Sequence, residues 1–234
     1  MIIPAEKIIV ALDTHDQMKL DALFQSLEGE RIWVKVGMEV FYSLGPQVIF
    51  KAKEKGFNVF LDLKLHDIPN TVSKALKALC QLPIDMVNVH AAGGFEMMET
   101  CYEALTSLSK RPLLIAVTQL TSTTQEQMNK DQRVPGLVED SVLHYAKLAF
   151  DSRFDGIVCS PLEVKRIKKD LGAKFLTVTP GIRPAGDEKN DQKRVTTPSE
   201  AFSLGTDFMV IGRPITQAAD PKRSLQEILR GNQS

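Results

Sequence analysis

The chain has 234 residues, of which 43% are hydrophobic and 25% charged, with 29 lysines and arginines against 29 aspartates and glutamates. That length is short for two average domains and suits one α/β barrel of about 250 residues. The zero formal charge argues against a global basic field for nucleic acid, while a local pocket for a small anion stays open.

From the amino end, MIIPAEKIIVALD lacks the cationic stretch, apolar run and cleavage site of a secretory leader. It holds instead the first short β-branched run, KIIVALD, ending at Asp13. RIWVKVG follows, ending at Gly37, then FNVFLDLKL ending at Leu65, DMVNVHA ending at Ala91 and PLLIAVTQL ending at Leu120. DGIVCS ends at Ser160, KFLTVTPGI at Ile182 and DFMVIGRPI at Ile215.

Helical patterns lie between these runs. In TVSKALKALC, positions Val72, Ala75, Leu76 and Leu79 mark one face. LVEDSVLHYAKLAF carries a similar stripe as far as Phe150. Thr197-Pro198-Ser199-Glu200 has the form of a capping box with proline at the first helical position, and SLQEILRG gives a terminal helix that stops at Gly231. Eight strands alternating with helices predict right-handed βαβ units and a parallel sheet closed into a (β/α)8 TIM barrel, one catalytic domain over residues 1–234. An open doubly wound sheet would be favoured by a G-x-G-x-x-G turn after the first strand, and there is none. No stretch approaches the roughly 18 apolar residues of a membrane span. Cys80, Cys101 and Cys159 are widely spaced in apolar surroundings and read as buried thiols of a cytoplasmic protein.

Charges at the strand ends carry the functional signal, because a barrel builds its site at the carboxyl ends of its strands. Asp13 ends the first strand, and Lys35 sits between Val34 and Val36 in the second. In Leu61-Asp62-Leu63-Lys64-Leu65, period-two geometry sends Asp62 and Lys64 to one face and the leucines to the other, with Asp67 just beyond. The leucines would pack on helices, so the charges point into the barrel mouth. Several ionised groups share a confined site only when opposite signs interleave. A structural ion-pair plug is the bland alternative for any one Asp–Lys pair.

The loops after strands seven and eight are the usual phosphate sites of this fold. Here they hold Thr179-Pro180-Gly181-Ile182-Arg183-Pro184 and Ile211-Gly212-Arg213-Pro214. Gly212 permits close backbone approach, and Arg213 offers a planar fork to phosphate oxygens. RPAGDEKNDQKR, Arg183 to Arg194, is a long polar loop in which Gln192 and its basic neighbours could cover a phosphate. Thr121 is expected at the end of strand five with its hydroxyl available to a polar ligand. His15, His66, His90 and His144 have no metal-ligand spacing. His66 is the histidine beside the charges, and His90 reads as a hydrogen-bonded strand end. Cys159 has no evident base and reads as a structural thiol, and the Met97-Met98 pair as helix packing.

Asp62-Leu63-Lys64-Leu65-His66-Asp67-Ile68-Pro69-Asn70-Thr71 resembles the D-x-K-x-x-D-I-P-x-T signature of the orotidine 5'-phosphate decarboxylase family. ALD with Asp13, KVG with Lys35, QLTS with Thr121, TPGIRP with Arg183, DQ with Gln192 and IGRPI with Arg213 fall in matching order along essentially the whole chain. The resemblance implies a cofactor-free, metal-free decarboxylation of orotidine 5'-phosphate to uridine 5'-phosphate. Lys64 would be the proton donor to C6, with Asp62, Asp67 and Lys35 completing the catalytic charges. Asp13 and Lys35 would hold ribose hydroxyls, and Thr121 the pyrimidine edge. Gln192, Gly212 and Arg213 would bind phosphate, and Arg183 would belong to the same closing region. Asp67, Ile68 and Thr71 would come from the neighbouring subunit of a homodimer with composite sites. A small-molecule substrate is thus expected, with neither nucleic acid nor membrane as partner. Two alternatives stay open: a sugar-phosphate decarboxylase or aldolase of the same superfamily using Mg2+, and a non-catalytic nucleotide sensor.

Overall fold

Runs of valine, isoleucine and leucine have two faces to bury, and a closed parallel barrel covers both, one by its own lumen and one by helices. The computed structural model describes residues 1–184 and 196–231. Its strands are β1 Ile8–Leu12, β2 Trp33–Gly37, β3 Asn58–Leu65, β4 Met86–His90, β5 Leu113–Val117, β6 Gly156–Val158, β7 Leu176–Thr179 and β8 Phe208–Ile211. They pair in parallel in sequence order, and β8 closes on β1.

Helices α1 Gln17–Leu27, α2 Met38–Leu44, α3 Gln47–Glu54, α4 Pro69–Leu79, α5 Gly94–Leu105 and α6 Gln125–Lys130 are interleaved with the first five strands. They are followed by α7 Val138–Asp151, α8 Val164–Leu171, α9 Pro198–Ser203, α10 Arg213–Thr216 and α11 Pro221–Leu229. The expected stripe on α4 buries Val72 and Leu76 completely. At α9, Thr197 and Glu200 exchange the two hydrogen bonds of a capping box. Among the described residues, no helix is long and apolar enough to cross a membrane, and none of the three cysteines forms a disulfide.

Two apolar clusters follow from strand alternation. Ile9, Ala11, Phe60, Met86, Ile115, Val178 and Val210 fill the lumen, closed below by Trp33 edge-on to Phe208 at 5.2 Å. Outward residues such as Val10, Val34, Val36, Leu61 and Leu63 join the helices in the larger cluster, with Met97, Met98 and Cys159. Each such fully buried side chain contributes about 1.5–3 kcal/mol.

At the amino-terminal rim, three aspartates repeat one device. Asp85, Asp155 and Asp207 stand just before β4, β6 and β8 and accept the backbone N–H of Val59, Leu114 and Thr177 on the preceding strand. Each is also paired with a cation that precedes that odd strand, Lys53, Arg111 and Lys168 respectively. On β1 no aspartate is needed, because the Ile8 N–H is taken by the Ala5 carbonyl.

Four strands end earlier than expected, β6 at Val158 and β7 at Thr179 as well as β5 and β8. β5 stops at Val117, because the Thr118 hydroxyl and N–H both turn to the Val158 carbonyl, so Thr121 lies in the loop beyond. β8 stops at Ile211, and Arg213-Pro214-Ile215 is helical instead, with proline in the first turn where its missing N–H costs nothing.

Candidate active site

Above the lumen cluster the inward positions become charged. Lys35 follows Trp33 on the inner face of β2 and is registered with Ala11, whose methyl leaves room for the lysine stem. Gly37, the next inward position, serves the same end: a Cβ there would lie 3.0 Å from Lys35 Nζ. On β3, Asp62 continues the inward row of Phe60, as alternation requires.

These groups form a chain of alternating charge. Lys35 Nζ lies 3.5 Å from Asp13 Oδ1 and 3.3 Å from Asp62 Oδ2. Lys64 Nζ lies 2.7 Å from Asp62 Oδ1. Burial by itself would pull the Lys35 ammonium down, but Asp62 and Asp13 outweigh it and hold its pKa above 10.5. Burial would likewise push Asp62 up, yet Lys35, Lys64 and the Asn88 amide hold it below the usual carboxylate range. Both groups are therefore ionised through the neutral range.

Lys64 reaches this position through an irregular backbone. Its φ is +52°, a left-handed conformation that costs a non-glycine residue about 1–3 kcal/mol. The β3–β4 register shifts between Leu61 and Leu65 at the same place. Asn88, fully buried on the inner face of β4, accepts the Lys64 N–H at 2.8 Å and donates to Asp62 Oδ1 at 2.6 Å.

The charges line a cavity of about 600 Å3 at the carboxyl end of the barrel. Asp13, Lys35, Asp62, Lys64, Thr121, Arg183, Gly212 and Arg213 all border it, as the sequence reading expected. Arg183 is buried and donates to the Ile182 carbonyl, while Gly212 faces Ala11 and Asp13. Asp67, Ile68 and Thr71 do not border it. All three are exposed at the start of α4, and the Asp67 carboxylate accepts the Ile68 N–H. Gln192 lies outside the described residues.

Five further polar lining residues were not anticipated, Glu39, Gln119, Ser122, Thr216 and Gln217, nor was Asn88. A buried amide was legible in principle, since Asn88 shares the inward parity of Met86 in a strand that is otherwise methionine and valine up to its terminal His90. His90 ends β4 as expected, but its ring makes no hydrogen bond among the described residues; it lies 5.6 Å from that of His66. Burial, then His66 and Lys64, lower its pKa. Among the described residues no group of three or more histidines, cysteines and acids converges as metal ligands do.

A family model described as Orotidine 5'-phosphate decarboxylase / HUMPS family matches residues 6–228. This chain belongs to that family. An orotidine 5'-phosphate decarboxylase of Staphylococcus aureus (strain bovine RF122 / ET3-1) is 51% identical over 220 residues, covering 94% of this chain and 95% of that protein. The crystal structure of orotidine 5'-phosphate decarboxylase from Lactobacillus acidophilus superposes with a TM-score of 0.85 at 40% identity, covering 98% of this chain and all of that one. An uncharacterized conserved protein from Geobacillus kaustophilus gives 0.84 at 43% identity, covering 95% and 98%.

Proposed function

We propose that this chain decarboxylates orotidine 5'-phosphate to uridine 5'-phosphate and carbon dioxide, with no cofactor and with Lys64 as the proton donor. The observation that carries the reading is the Asp13–Lys35–Asp62–Lys64 chain lining a cavity that Arg183 and Arg213 also border, in a family whose relatives at 51% identity bear that name. Cleavage of the bond from C6 to the carboxylate leaves an electron pair in the ring plane, where the ring cannot delocalise it. The Lys64 ammonium stabilises that pair and then protonates C6, and solvent restores its proton. Asp62 stands beside the substrate carboxylate, Asp13 and Lys35 hold the ribose, and Thr121 meets the pyrimidine edge. Gln192, Gly212 and Arg213 take the phosphate, with Arg183 in the same closing region, and the binding energy of the phosphate assembles the site around the reacting carbon.

The same reading makes the protein a homodimer in the cytoplasm, with 1–234 as one catalytic domain. In the dimer, Asp67, Ile68 and Thr71 enter the partner's cavity. Their exposure where the chain enters α4, away from the cavity of their own chain, is what such an exchange needs. Loss of orotidine 5'-phosphate, followed by ultraviolet absorbance in excess chelator, tests the reaction. Rapid loss is expected, and Lys64→Ala is expected to lower kcat by about 10⁴-fold or more while still binding uridine 5'-phosphate. Activity that appears only on adding magnesium would transfer the chain to the sugar-phosphate side of its family. Near-normal turnover by Lys64→Ala would remove the lysine from its role.

A further inference from the structure

We infer that Asn88 is a positioning residue for the decarboxylation proposed above, acting through Lys64 and Asp62 without touching the substrate. Its side chain is fully buried and does not border the cavity. One amide spans two groups that must hold a fixed relation. Its oxygen accepts the Lys64 N–H at 2.8 Å, and its nitrogen donates to Asp62 Oδ1 at 2.6 Å, the same oxygen that Lys64 Nζ approaches at 2.7 Å.

The need for such a clamp follows from the backbone. At φ +52° Lys64 sits in a conformation its own residue type resists, at a point where β3 has slipped out of register with β4. A Lys64 N–H that no strand partner receives would be a buried unsatisfied donor. Asn88 satisfies it from β4, and so ties the irregular turn of β3 to its regular neighbour. An asparagine is required because the two contacts have opposite sense. A carboxylate could accept but not donate, and a hydroxyl is too short to span both.

The experiment compares the unaltered chain with Asn88→Ala and with the isosteric Asn88→Asp, measuring kcat, uridine 5'-phosphate affinity, melting temperature and the pH profile. Displacing a reacting group by an ångström costs roughly 100-fold. Asn88→Ala should lose about that factor in kcat, with product affinity nearly retained. In Asn88→Asp the new carboxylate keeps the acceptor and places a like charge beside Asp62. The pair then binds a proton more readily, and protonation of the introduced carboxyl restores the donor. Activity of this variant relative to the unaltered chain should therefore fall as pH rises. Unchanged kcat in Asn88→Ala would overturn the inference. So would losses in both variants that merely follow the folded fraction and leave the pH profile intact. An unaltered chain with no decarboxylase activity would overturn the functional reading itself, which the same assay separates from failure of Asn88 alone.

Discussion

Asp62 is the residue on which the site's electrostatics turn, since it meets Lys35, Lys64 and Asn88 at once. Removing one member of a buried ionic group leaves its partners uncompensated, which typically costs 3–5 kcal/mol. Asp62→Asn is therefore expected to lower stability by about 3 kcal/mol at neutral pH, read from urea denaturation. The pH dependence has a definite sign. The folded-state pKa of Asp62 lies below 3.8, so its contribution is present above that value and disappears as pH falls through the lower, folded one. Lys35 behaves oppositely: its pKa is raised above 10.5, so its contribution is present below that value and is lost as pH rises through the folded one. Stability curves for the unaltered and Asp62→Asn chains should converge in acid. A constant gap at every pH would mean that the carboxylate is not held by charge.

Among the elements, alternation made the inward face of β3 legible. Leu61-Asp62-Leu63-Lys64 is a two-period pattern, and the leucines do pack outward. What alternation cannot predict is a break in itself: the left-handed Lys64 and the register shift depend on a partner 24 residues away. The ends of β5 and β8 were misplaced for a related reason. TQL and Ile215 extend the apolar or β-branched runs, while Thr118 turns to β6 and the Pro214 ring suits a helix start. Gly156 opens β6 where no glycine signal marked it as necessary. A Cβ there would collide with the Leu176 carbonyl oxygen on β7. Backbone cannot yield as a side-chain tip can, so Gly156→Ala should cost about 3 kcal/mol in a denaturant titration. A change within a few tenths of a kcal/mol would show that β6 and β7 can separate freely.

For the whole molecule, the eight-stranded count and the cavity at the carboxyl end follow directly from the order of runs in the chain. Asp67, Ile68 and Thr71 have a sequence signature as clear as that of Lys64, but their place is outside the cavity of their own chain. The composite-site dimer proposed above predicts complementation. Lys64→Ala and Asp67→Ala proteins, each inactive alone, should recover about a quarter of full activity when mixed and allowed to exchange subunits. No recovery, despite demonstrated exchange, would place Asp67 in its own chain's site. The rim aspartates escape sequence inspection because Lys53 to Asp85, Arg111 to Asp155 and Lys168 to Asp207 are separated by 32, 44 and 39 residues. Unequal spacing hides a threefold structural repeat.

That repeat bears on how the chain emerges during synthesis. Each lock joins a cation, an odd strand and the aspartate before the next strand, all within one continuous stretch of chain. A ribosome delivering the protein from its amino end therefore releases each two-strand unit with its fastener already complete. The β3–β4 unit can be secured before any part of β5 exists, and only the final closure of β8 onto β1 has to wait for the finished polypeptide.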